Sequence, residues 1–149
     1  MDELDYEKLA KEIMKQLRSL KEIVLATSAD GRVTARLMAP LSDRLTLLMS
    51  TGGNSQKVAQ MRQNPNIALA IGNLKIEAVA ELYGHPGEHP TFLGSYAKKF
   101  PLYAKLYKSS PEDMLVIAHP TKIALYKFLG RPCEEILLPE EKKALRMSI

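Results

Sequence analysis

The hydrophobic positions of this chain change their spacing several times, and each change marks an element. From Tyr6 to Leu20, the residues Leu9, Ile13, Leu17 and Leu20 recur at helical spacing, with lysines and glutamates between them. That is the pattern of an amphipathic helix with one apolar stripe. Asp2 and Glu3 lie near its start, where the helix dipole favours negative charge. Such a helix is expected to pack over one end of a sheet.

The period then shortens. Glu22 to Ser28, Val33 to Ala39 and Leu45 to Ser50 read as strands. Ala29-Asp30-Gly31-Arg32 joins the first two, and Asp-Gly is a strong hairpin signal because both central residues of a type I′ turn need positive φ. Pro40 stops the second run, and Leu41-Ser42-Asp43-Arg44 predicts a turn into the third. The three form an antiparallel meander. Beyond Thr51-Gly52-Gly53-Asn54, a short helix is predicted over Lys57 to Arg62, with Val58 and Met61 on one face and Asn54 or Ser55 as its N-cap.

Asn64-Pro65-Asn66 ends that helix. Strands follow at Ile67 to Ile71 and, past the break at Gly72-Asn73, at Leu74 to Tyr83. Gly84-His85-Pro86-Gly87 predicts a turn. Thr91 to Tyr107 predicts a second amphipathic helix, kinked or divided at Pro101. Met114 to Ala118 and Lys122 to Phe128 predict two last strands joined across His119-Pro120, and the charged tail from Pro139 to Ile149 is expected to fray. About seven short strands in hairpin order, with two or three helices, predict a mainly β, antiparallel barrel in a single domain.

Composition narrows the function classes. The chain has 149 residues, 46% hydrophobic and 26% charged, enough for a core without disulfides or a structural metal. The net charge of +4 is scattered rather than clustered. Without a basic face or strand aromatics for base stacking, a nucleic acid is not the expected partner. Cys133 is the only cysteine, so it forms no intrachain disulfide and reads as a small, semi-buried residue. The acidic N-terminus does not resemble a signal peptide, and no run approaches the roughly 18 apolar residues of a membrane span, so a cytoplasmic location is expected. His85 and His89 have a metal-like spacing, but Pro86, Gly87 and Pro90 make that segment a turn, and no metal is expected.

The segment Thr51-Gly52-Gly53-Asn54-Ser55-Gln56-Lys57 carries the most chemistry. Its glycines permit close approach of backbone to a ligand, and a helix N-terminus attracts anions. Thr51 and Ser55 add hydroxyls and Lys57 a full charge, which together describe a phosphate cradle. It lacks the Gly-Lys-Ser/Thr ending of a Walker A loop, and read by itself it is equally an ordinary capped turn. Arg36 is the second feature. By alternation it shares a strand face with Thr34 and Met38, and its planar fork suits a phosphate, although a lone strand arginine is equally a solvated one. Tyr96, Phe100, Tyr103 and Tyr107 recur at helical spacing and read as core or dimer packing, with flavin stacking as the alternative.

The ordered set Val33-Thr34-Ala35-Arg36-Leu37-Met38, Leu47-Leu48-Met49-Ser50-Thr51, Ser55-Gln56-Lys57 and Asn64-Pro65-Asn66-Ile67-Ala68-Leu69 resembles the pyridoxamine 5′-phosphate oxidase-like, FMN-binding split β-barrel family, especially its general stress protein group. Pro120-Thr-Lys-Ile-Ala-Leu-Tyr126 is similar to the family's closing strand. The resemblance implies an FMN-binding split barrel, a homodimer with the flavin at its interface, and flavin-dependent oxidoreductase activity. It implies that Arg36 and Lys57 hold the FMN phosphate, with Ser55 and Gln56 in the same loop. Leu37, Met38 and Ala39 would lie along the isoalloxazine ring, Ser50 and Thr51 would touch the ligand, and Asn73 would stand near the ring. Gln56 replaces an arginine of the oxidases, the C-terminal residues that hold pyridoxine phosphate have no match, and the chain has no tryptophan, which argues against pyridoxamine phosphate as substrate. The alternatives are a non-catalytic flavin-binding or stress-response module and a relative that takes haem or a deazaflavin. Haem would need His85, His89 or His119 as an axial ligand.

Overall fold

The computed structural model describes residues 1–106 and 108–149. Strand β1 (Asp2–Leu4) leads into helix α1 (Tyr6–Ser19), whose N-cap Asp5 accepts from the Lys8 backbone N–H at 3.0 Å. Then come β2 (Ile23–Ala29), β3 (Arg32–Met38), β4 (Leu41–Asp43), β5 (Thr46–Gly52), α2 (Gln56–Gln63), β6 (Asn66–Ile71) and β7 (Leu74–Gly84). A single 3₁₀ turn (Pro86–Glu88) precedes α3 (Phe92–Lys99) and α4 (Pro101–Leu106), followed by β8 (Asp113–Phe128), β9 (Pro132–Leu138) and β10 (Lys143–Ser148).

The Asp-Gly signal marks a true hairpin. Asp30 and Gly31 take φ of 53° and 74°, and β2 and β3 pair from Ile23↔Met38 to Ala29↔Arg32. Leu41 to Asp43 is a strand rather than the predicted turn. It pairs with β5 up to Asp43↔Thr46, and the chain reverses at Arg44, whose φ is 55°. Pro101 divides the predicted long helix into α3 and α4, and Tyr107 lies outside the described residues.

The sheet runs β1-β10-β9-β8-β7-β6-β2-β3, with β5 joined to β8 and β4 to β5. The two strands predicted on either side of His119-Pro120 are one 16-residue strand, β8. Pro120 lacks a donor, and the β7–β8 register shifts where it faces Ala78. There the sheet divides. Along the edge opposite β7, β8 pairs first with β5 (Ala118↔Leu47 to Asp113↔Gly52) and then with β9 (Ile123↔Leu137 to Phe128↔Pro132). This forked, unclosed antiparallel sheet is a split β-barrel.

The tail does not fray. β10 pairs with β9 from Lys143↔Leu138 to Ser148↔Cys133 and carries β1 on its other edge. Glu135, 5% exposed on β9, accepts from Lys127 of β8 and from Arg146 of β10 (Nε 3.0 Å, Nη2 2.6 Å). Lys127 also reaches Glu12 of α1 at 2.7 Å, so one ionic cluster ties helix and strands together.

Leu9, Ala10, Ile13 and Leu17 of α1 and Val58 and Met61 of α2 join the inward residues of β2 and β5 to β8 in one core. A smaller cluster on the other face of β5 and β8 joins Leu48, Leu115 and Ile117 to Phe92 of α3. Cys133 is buried rather than semi-buried. Among the described residues, no helix is long and apolar enough to cross a membrane.

Candidate functional site

Arg36 lies on β3, two residues from Thr34 and so on the same face, and Thr34 faces Thr27 across the hairpin. Its guanidinium donates from Nη1 to Thr27 Oγ1 at 2.8 Å and to the Leu25 carbonyl at 3.3 Å, and from Nη2 to Thr34 Oγ1. Both threonine hydroxyls donate at 2.6 Å to Oε1 of Gln60, a residue of α2 that is 6% exposed. Gln60 Nε2 points the other way, to the Arg32 carbonyl at 3.4 Å. This assignment satisfies every group. Arginine is donor-only, so each hydroxyl must accept from it and spend its single proton elsewhere.

Lys57 stands in the first turn of α2. Ser55 is the N-cap, accepting the Val58 N–H at 3.4 Å, and its own N–H bonds the Gly52 carbonyl at 3.1 Å. Burial first, and the neighbouring Arg36 charge second, lower the Lys57 pKa; burial lowers that of Arg36. The fold thus sets Lys57 in the first turn of α2 within electrostatic reach of Arg36, which is held against the same helix through Gln60. Among the described residues, the ion pairs involve neither of them. Two like charges held near each other without a carboxylate form a donor set suited to an anion.

The two glycines of the loop differ. A Cβ on Gly52 would meet nothing within 4 Å, whereas one on Gly53 would stand 1.9 Å from the Glu112 carbonyl oxygen. Gly53 therefore admits another stretch of this chain, not a ligand.

β3 pairs with β2 on one edge only, so its other edge is unpaired among the described residues. At its end, Leu37, Met38 and Ala39 line a groove of about 330 Å³ with Lys21, Glu22, Tyr96 and Tyr103. Leu37 is 58% exposed there, while Met38 packs against the main core. Tyr96 belongs to a ladder of rings, 5.4 Å from Phe92 and 5.0 Å from Phe100, which continues to Tyr103 at 5.8 Å. Lys99 Nζ donates to the Pro40 carbonyl at 2.9 Å and so fastens α3 to the end of this strip.

The family model described as pyridoxamine 5′-phosphate oxidase matches residues 9–126. The chain belongs to the pyridoxamine 5′-phosphate oxidase family. Similar solved structures include a candidate pyridoxamine 5′-phosphate oxidase from Listeria innocua, 23% identical, covering 78% of this chain and 97% of that one, with a TM-score of 0.65. General Stress Protein 26 from Bacillus anthracis is 19% identical, covers 77% and 91%, and has a TM-score of 0.61. A pyridoxamine 5′-phosphate oxidase-related, FMN-binding protein from Nostoc punctiforme is 14% identical, covers 100% and 99%, and has a TM-score of 0.64. These likenesses establish the shared fold. No curated protein sequence matches.

In this pyridoxamine 5′-phosphate oxidase family member, most of the residues singled out by sequence fall into two groups. Ser55, Gln56 and Lys57 form the start of α2, with Arg36 held against the same helix through Thr27, Thr34 and Gln60, and Leu37, Met38 and Ala39 form the strip beside the groove. Ser50 and Thr51 point to opposite faces of β5; Ser50 Oγ is buried, with no hydrogen-bond partner among the described residues, on the same face as Leu48. Asn73 belongs to neither group. It sits at the β6–β7 hairpin tip, where its side chain accepts from Gln16 and donates to the Tyr126 carbonyl, both at 3.0 Å.

The histidines are engaged elsewhere. His85 bonds the Gly87 N–H and contacts the Ser110 carbonyl at 3.0 Å, His89 Nδ1 accepts the Phe92 N–H at the start of α3, and His119 meets Glu81 at 2.7 Å. No cluster among the described residues has the makings of a metal site. Gln60 escaped sequence reasoning because it is one more polar residue on a short, largely polar helix.

Proposed function

We propose that this chain binds FMN and acts, as a homodimer, as a flavin-dependent oxidoreductase. The observation that carries the reading is that Arg36 and Lys57, neither of them in an ion pair among the described residues, lie near enough beside α2 for the Arg36 charge to act on Lys57, in a chain of this family. Arg36 has five N–H donors and spends three on Leu25, Thr27 and Thr34. The Nε–H and one Nη2–H remain for a phosphate. Lys57 adds a point charge, and the first-turn N–H groups of α2 add the positive end of its dipole.

The strip Leu37 to Ala39 would carry the flavin ring, with the unpaired edge of β3 supplying backbone groups and Tyr96 and Tyr103 walling the groove. Leu37 and Val33, exposed by 58% and 71% on the outer face of β3, would be covered by the second subunit. Bound flavin would supply the redox chemistry itself, so the protein needs to orient it and exclude water rather than provide an acid or base. Pyridoxamine phosphate is not the proposed substrate, because the C-terminal residues with which the oxidases hold pyridoxine phosphate have no match in this sequence, whose C-terminal segment forms β9 and β10.

Titration of Arg36→Ala and Lys57→Ala with FMN tests the site. Each should bind more weakly by about 1.5–3 kcal/mol, the worth of a charge-assisted bond. Variants that match the wild type would reject the assignment. Anaerobic reduction of the bound flavin by NADH or NADPH, followed by reoxidation with an acceptor, tests the enzymatic reading; flavin that neither nucleotide reduces would leave a carrier role.

A further inference from the structure

We infer that Gln60 is a positioning residue for Arg36: its amide oxygen fixes the Thr27 and Thr34 hydroxyls as acceptors, and they in turn aim the remaining guanidinium fork at the phosphate. The inference rests on the flavin reading above.

The donor accounting carries it. Thr27 Oγ1 and Thr34 Oγ1 lie 3.4 Å apart, and each donates to Gln60 Oε1 at 2.6 Å. With both protons committed, their lone pairs face Arg36, which meets them end-on, Nη1 to Thr27 and Nη2 to Thr34. The second Nη1–H goes to the Leu25 carbonyl. What is left lies on a single edge, Nε–H and one Nη2–H, and that edge is the one that grips an oxyanion side-on. If Gln60 lost its oxygen, the hydroxyl protons would be released to turn toward each other or toward the guanidinium, and the end-on clamp would loosen.

An amide suits this task better than a carboxylate. It supplies an oriented acceptor without charge, so the positive field of Arg36 and Lys57 is not neutralised. Position also matters. Gln60 follows Lys57 by three residues on α2, so one short helix carries one phosphate cation and sets the aim of the other. Thr27 is 1% exposed and Gln60 6%, so the Thr27–Gln60 side of the clamp is shielded from water, in surroundings where hydrogen bonds are stronger.

The experiment compares FMN with riboflavin, which lacks the phosphate, by titration monitored through flavin fluorescence. Gln60→Met should lower FMN affinity on the order of tenfold, part of the tenfold to hundredfold loss expected for Arg36→Ala. Riboflavin affinity should not change. In an Arg36→Ala background, Gln60→Met should cause no further loss of FMN affinity. Thr34→Val, at a half-buried position, removes one hydroxyl of the clamp and should show the same FMN-specific loss, which keeps the test open if Gln60→Met folds poorly. Equal losses for both flavins, losses that add to those of Arg36→Ala, or no loss at all would overturn the positioning role. Wild type that binds neither flavin would instead overturn the flavin reading, and this role with it.

Discussion

Gly53 and the carbonyl of Glu112 occupy adjoining space: a Cβ at position 53 would lie 1.9 Å from that oxygen. The loop that leads into α2 is therefore shaped by the segment that leads into β8. Gly52↔Asp113 pairing between β5 and β8 brings the two together one residue earlier.

Gly53→Ala should accordingly be destabilising, because backbone atoms on both sides must move. A cost of about 1–3 kcal/mol is expected for such overpacking. Gly52→Ala, where a Cβ meets nothing within 4 Å, should stay within about 0.5 kcal/mol of wild type. Urea unfolding of the two variants side by side checks this, and equal midpoints would contradict it.

Lys57 should cost the ligand-free protein stability. Burial and the Arg36 charge hold its pKa below the ordinary 10.5, so the unfolded chain binds the extra proton more readily. Stability due to this group is therefore lowest where lysine is charged in both states, and it rises with pH through the window between the lowered value and 10.5. Lys57→Met should leave the ligand-free protein as stable as wild type or more so at neutral pH, with the difference shrinking in alkali. A marked loss of stability on this substitution would mean that Lys57 holds the fold rather than waiting for an anion.

The Glu135 cluster should act in the opposite direction. Burial pushes the Glu135 carboxyl up, but hydrogen bonds from Lys127 and Arg146 outweigh it and leave the pKa below the ordinary 4.5. Its contribution is present above 4.5 and is lost as pH falls through the lowered native value. Glu135→Ala leaves Lys127 and Arg146 without their shared partner and should destabilise at neutral pH, by less than breaking a fully buried pair, because Arg146 reaches solvent and Lys127 keeps Glu12. Thermal unfolding across the acid range tests both points. The variant should lose less stability than wild type as pH is lowered.

The same cluster shows why part of the fold was illegible in the sequence. The β2–β3 hairpin and the Ser55 cap follow from local chemistry, Asp-Gly at one and a serine before a helix at the other. Arg36 and Lys57 were legible because one strand, one hairpin and one loop separate them. β9 was not, since Glu134 and Glu135 look like solvent-facing charge until Lys127 and Arg146, on neighbouring strands, are placed around Glu135. β10 followed it out of sight. Pro120 suggested a break between strands, whereas the barrel uses it as the point where β8 changes partners from β5 to β9. Gln60 carried no local signal at all; its role exists only once β2, β3 and α2 are assembled.

The most direct test of the central claim is a titration of the purified wild-type protein with FMN, followed by absorbance and fluorescence. Saturable binding with shifted flavin bands, tighter for FMN than for riboflavin and weakened in Arg36→Ala, is the predicted result. Protein whose spectrum shows no saturable change with added FMN, or that binds riboflavin as tightly as FMN, would contradict a phosphate site at Arg36 and Lys57.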